Sequence, residues 1–119
     1  MNDKIIEKIN TILQTDSLKN IYSNYFKDKL HDKVVKISIV DITIDLYIKF
    51  KDENMTVSID ESQQDVEISG TLSSFIFYSA VGGNELYSSK INISGDVETA
   101  NSLNSLFKET DLLRGIIME

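Results

Sequence analysis

The sequence contains no cysteine, which excludes disulfides, a thiolate nucleophile and every cysteine-containing zinc site. It has one histidine, His31, so a histidine metal cluster and paired-imidazole catalysis are excluded too. No apolar run approaches the roughly 18 residues of a membrane-spanning helix. The first thirteen residues mix charged and apolar positions too closely for the apolar core of a signal peptide. A basic surplus is also missing. Net charge is −7, which disfavours nucleic acid and anionic membranes as partners recognised by charge. The only lysine cluster, Lys27, Lys29, Lys33 and Lys36, is explained by a solvated edge. A chain of 119 residues suits one domain, which buries roughly two-thirds of its unfolded surface without a staple. We expect a soluble, cytoplasmic protein with no cofactor.

What is present is periodic. Ile5, Ile6, Ile9, Ile12 and Leu13 recur at helical spacing, and Thr15-Asp16-Ser17 interrupts them, with Asp16 or Ser17 as the cap of a second helix. That helix reaches about Leu30 and carries Leu18, Ile21, Tyr22, Tyr25 and Phe26 on one face. Residues 1–30 therefore read as a helical hairpin. Val35, Ile37 and Ile39 then alternate with polar residues, as do Ile42, Ile44, Leu46, Ile48 and Phe50 after a phase slip near Val40-Asp41. The slip marks a tight turn, Lys51–Asn54 marks another, and Met55, Val57 and Ile59 form a third strand. Residues 33–60 are thus a three-strand meander.

Residues 65–111 hold two strand-turn-helix units. Ile68-Ser69-Gly70-Thr71-Leu72 and Ile93-Ser94-Gly95-Asp96-Val97 share one plan of strand, glycine, cap and helix. Their likeness predicts two strands running the same way, each sending a helix to one side of the sheet. The second helix carries Val97, Ala100, Leu103, Leu106 and Phe107 on one stripe. The first is apolar nearly all round, through Leu72, Phe75, Ile76, Phe77, Tyr78, Ala80 and Val81. Such a helix is buried on two sides, lines a cavity or meets a partner. Gly82-Gly83 ends it, Leu86 and Tyr87 follow in a polar connection, and an apolar tail occupies residues 112–119.

Catalytic chemistry finds no support. No nucleophile elbow, phosphate loop or dinucleotide fingerprint occurs. Asp60, Glu61 and Asp65 lack the glycine and closing glutamate of a calcium loop. Helix capping accounts for Asp96. The remaining signal is apolar, in Phe75, Phe77, Tyr78, Leu86, Tyr87, Leu103, Leu106 and Phe107, which suit either core packing or a greasy cavity.

Three stretches, "INTILQTDSLKNIYSNYFKDKLHDKVVKISI", "DVEISGTLSSF" and the closing "INISGDVETANSLNSLFKETD", resemble the sterol carrier protein type 2 domain family. Within it they are most similar to the accessory factor J branch of bacterial ubiquinone biosynthesis. The resemblance implies an α+β fold, a five-stranded, mostly antiparallel sheet with helices covering one face. It implies a non-enzymatic carrier holding an apolar lipid or prenylated quinone precursor, presented to ubiquinone-biosynthesis enzymes. By that likeness Leu72, Phe75, Ile76, Tyr78, Leu103, Leu106 and Phe107 line a tunnel, with Leu86, Tyr87 and the tail Leu112–Met118 near its mouth. The branch continues into a coiled-coil extension; this sequence has no heptad run, so that partnership is not carried over. A self-association module of the same fold without ligand, or a general fatty-acyl or sterol carrier, is the alternative.

Overall fold

A computed structural model of the chain describes residues 3–52, 54–80 and 90–110. Helices α1 (Asp3–Leu13) and α2 (Asp16–Ile21) lead into a π-helical turn (Tyr22–Phe26) and a last short helix α3 (Lys27–Leu30). The cap of α2 is neither Asp16 nor Ser17. Thr15 holds that position, and its hydroxyl donates backwards to the Ile12 carbonyl at 3.0 Å, closing α1. The π-turn also changes which residues face inward. Tyr22 and Phe26 are buried, whereas Tyr25 is 75% exposed, because the wider turn brings the fourth residue on, not the third, back beneath Tyr22.

Strands β1 (Val34–Ile39), β2 (Ile44–Lys51) and β3 (Asn54–Ser58) form the expected meander. The β1–β2 turn is four residues long and holds Val40 and Ile42 exposed, so Ile42 is not a strand residue. Ile59 likewise lies beyond β3 and is exposed. Strand β4 (Val66–Gly70) and strand β5 (Asn92–Gly95) complete a sheet of order β3-β2-β1-β4-β5. Among the described strands only β1 and β4 run parallel. Strand β5 runs antiparallel to β4, which corrects the expectation of two co-directional strands. The register gives the reason. Gly70 ends β4 at one end of the sheet, while Gly95 pairs with Val66 at the other. Helix α4 (Leu72–Ala80) and helix α5 (Val97–Thr110) therefore leave from opposite ends.

Register sorts the side chains. Val35, Ile37, Ile48, Phe50, Met55, Val57, Val66, Ile68 and Ile93 share one face, joined in a single core with residues of α1, α2, the π-turn, α3, α4 and α5. The other face carries Lys36, Asp45 and Glu67, with the Lys36 ammonium 3.2 Å from Glu67 and 5.9 Å above the Tyr47 ring. Helix α1 does more than cover apolar surface. The Asn10 side chain donates to the Val57 carbonyl at 2.9 Å and accepts from its N–H at 2.8 Å, and Gln14 donates to the Met55 carbonyl at 3.0 Å. Side-chain amides thus pair the outward N–H and carbonyl of Val57 and the carbonyl of Met55 on edge strand β3.

Candidate functional site

The two glycine corners set the helices that close the candidate site. At the second, Gly95 has φ +112°, and a Cβ there would lie 2.5 Å from the Asp65 carbonyl oxygen. The backbone N–H of Asp96 donates to that same oxygen at 2.9 Å. Asp96 then caps α5, accepting from the Glu98 N–H at 3.1 Å and from the buried Thr99 hydroxyl at 2.7 Å. The Thr99 hydroxyl, the Thr99 and Glu98 N–H groups and nearby Lys33 hold the Asp96 carboxyl below its ordinary pKa. At the first corner the Thr71 hydroxyl accepts from the Ser74 N–H at 3.2 Å. Asp41, from the β1–β2 turn, accepts from the Leu72 N–H at 3.0 Å. A residue thirty-one positions away in sequence completes the cap, and sequence pattern holds no signal for it. Gly70 itself is not demanding, because a Cβ there meets Ile91, Phe75 and Ser74 at ordinary contact distances.

The helices so placed bring together five of the nine candidate residues. Phe75, Tyr78, Leu103, Leu106 and Phe107 are all buried in the core against the sheet. The Tyr78 and Phe107 rings meet edge to face, 6.4 Å between centroids, and the Tyr78 hydroxyl donates to the Asn104 side-chain oxygen. Burial pushes the Tyr78 phenol above its ordinary pKa, so it stays a neutral donor. Leu72 and Ile76 lie on the other side of α4, and Ile76 is 42% exposed. Phe77 joins them outside at 52% exposed. Helix α4 is therefore apolar on two faces with only one of them in the core. Leu86, Tyr87 and the tail Leu112–Met118 lie outside the described residues.

Two further features were not legible as site residues. Tyr22 sits in the same buried layer, stacked on Phe50 at 5.6 Å, with its hydroxyl buried and without a hydrogen-bond partner among the described residues. The helical stripe identified Tyr22 as core, but pattern does not report whether a hydroxyl is paired. A polar groove of about 470 Å³ opens at the start of α5 between Asp28, Lys29, Lys33, Asp96 and Glu98. Its walls are charged, so it offers an apolar ligand nothing. Among the described residues no three histidine, aspartate or glutamate side chains are grouped as a metal ion requires. No described helix is long and apolar enough to cross a membrane.

A mixed sheet with one face under helices, joined to them by an aromatic and aliphatic layer, defines a sterol-carrier-type α+β domain. The chain belongs to the SCP-2 sterol transfer family, whose profile matches residues 9–108, and which is a family of lipid-binding carriers. Its fold is similar to that of a solved structure described as UbiJ-SCP2, a ubiquinone synthesis protein. The TM-score is 0.65 at 17% identity, over 89% of this chain and 91% of that one. It is also similar to sterol carrier protein 2-like 2 from Aedes aegypti, with a TM-score of 0.56 at 21% identity over 87% of this chain and 93% of that one. Among curated protein sequences, none matches.

Proposed function

We propose that this domain is a non-catalytic carrier that holds an isoprenoid-tailed lipid between the sheet and helices α4 and α5. The ligand best suited is a ubiquinone-biosynthesis intermediate, handed in the cytoplasm to the enzymes that modify its ring. The observation that carries the reading is the layer of Phe75, Tyr78, Leu103, Leu106 and Phe107, in a chain of the SCP-2 family. The fold likeness to a ubiquinone synthesis protein supports the choice of ligand class. Each methylene taken from water contributes about 0.8 kcal/mol, so a polyprenyl tail supplies micromolar affinity readily. By the family likeness, Leu86 and Tyr87 are proposed to stand at the mouth of that site, while Leu72 and Ile76 face away from it on the outer side of α4. Protein isolated from its native host under non-denaturing conditions, with the lipid extracted and weighed by mass spectrometry, tests this directly. A prenylated aromatic is the expected mass; protein that carries and takes up no lipid overturns the reading.

One observation favours a second reading. Leu72, Ile76 and Phe77 form an outer apolar face on α4, and exposed Val40 and Ile42 lie in the turn whose Asp41 caps that helix. Such a face suits self-association of a ligand-free module. Sedimentation across a hundredfold concentration range separates the two: a dimer abolished by Phe77→Ser, with no lipid uptake, selects the second.

A further inference from the structure

The hydroxyl of Tyr22 is the one side-chain polar atom of the helix-facing core that is buried without a partner among the described residues. Tyr22 has no exposed surface at all, and it lies within the cluster that also contains Leu103, Leu106 and Phe107. The only other such side-chain atom among them, the Ser58 hydroxyl, belongs to β3 and pairs in register with Tyr47 on the opposite face of the sheet. Buried polar groups are nearly always paired, because leaving one dry forfeits its hydration with nothing in return. The contrast with Tyr78, whose hydroxyl is satisfied by Asn104, is direct.

Tyr22 also opens the π-helical turn, and π-turns concentrate where a helix must aim particular side chains. This one turns Tyr22 and Phe26 into the core and Tyr25 out of it. The ring is fixed by its stack on Phe50, 5.6 Å between centroids and 23° from parallel. Burial first, and the negative charge of Asp32 second, push the phenol up to about 12, so it is neutral and keeps its proton to donate.

We infer that Tyr22 is the polar anchor of the lipid site: its hydroxyl donates a hydrogen bond to an acceptor oxygen on the ring end of the ligand, while the tail occupies the apolar layer. The inference rests on the carrier reading above and adds to it a residue and a chemical requirement. A lipid bearing a carbonyl or ether oxygen on a flat ring is preferred over a pure hydrocarbon of equal length, and the ring lies beside the Tyr22–Phe50 stack.

The test uses the whole chain, wild type and Tyr22→Phe, with two probes: 2-decyl-1,4-benzoquinone and decylbenzene, which differ in the ring oxygens. Both are titrated as competitors of bound N-phenyl-1-naphthylamine. Wild type is expected to prefer the quinone, and Tyr22→Phe to lose about 3- to 10-fold of quinone affinity while binding decylbenzene unchanged. The apo variant is expected to be at least as stable to urea as wild type, since it loses a hydroxyl with no partner among the described residues and keeps the ring. Unchanged quinone affinity, an equal loss for both probes, or a destabilised apo variant each overturns the anchor and leaves the carrier reading standing. Failure of wild type to bind either probe overturns both.

Discussion

Of the two described glycines, Gly95 tolerates a side chain least. Its φ of +112° is open to glycine and strained for any side chain, and the Asp65 carbonyl occupies the space a methyl would need. Gly95→Ala is expected to cost roughly 2–4 kcal/mol, combining backbone strain with displacement of Asp65, and to lower the urea midpoint at an unchanged slope. Gly70→Ala, in a corner of the same sequence plan, is expected to change the midpoint far less, since its neighbours stand at ordinary contact distance. Tyr22 makes the other residue-scale prediction. Its pKa is about 12 in the fold against 10.0 in the unfolded chain, so the folded state binds the proton more tightly. Ionisation of this phenol therefore takes nothing from the fold below pH 10 and destabilises it as pH rises towards 12, by on the order of 3 kcal/mol in all. Urea midpoints of wild type are expected to fall more steeply than those of Tyr22→Phe across that window.

Elements here are held by side chains reaching across to neighbouring backbone. The edge of β3 is closed by Asn10, whose amide satisfies both outward groups of Val57. Asn10→Ala leaves both without that partner and is expected to cost about 1–3 kcal/mol. Hydrogen exchange would show the loss locally, with faster exchange of the Val57 amide and little change at β1. Pattern along the chain carries no sign of this bond, because it joins a helix to a strand edge 47 positions away. The boundaries of α1 and β1 and the start of α5 were legible from period and capping residues, whereas β2 begins two residues later than the alternation places it. The π-turn was not, since an added residue per turn leaves no mark in composition, and Tyr25 was accordingly put on the wrong face.

For the whole molecule, the carrier reading couples ligand and fold through one shared core. A lipid that binds only the folded state raises stability by about 2.7 kcal/mol at a hundredfold excess over its Kd, roughly a 10 °C gain in Tm for a domain this small. Saturation with the decyl quinone is expected to give that shift at any protein concentration. A Tm that rises with protein concentration, and is indifferent to lipid, marks the self-associating alternative. Local pattern determined much by itself: five strands, the helical front and the capped closing helix, because period, glycine and cap act over a few neighbouring residues. Tertiary structure alone decided that β4 and β5 oppose each other, that α4 turns Phe75 and Tyr78 inward and Phe77 out, and that the Tyr22 hydroxyl is enclosed without a partner among the described residues. Those outcomes depend on which distant groups meet, and a pattern along the chain records which residues are apolar without recording what faces them.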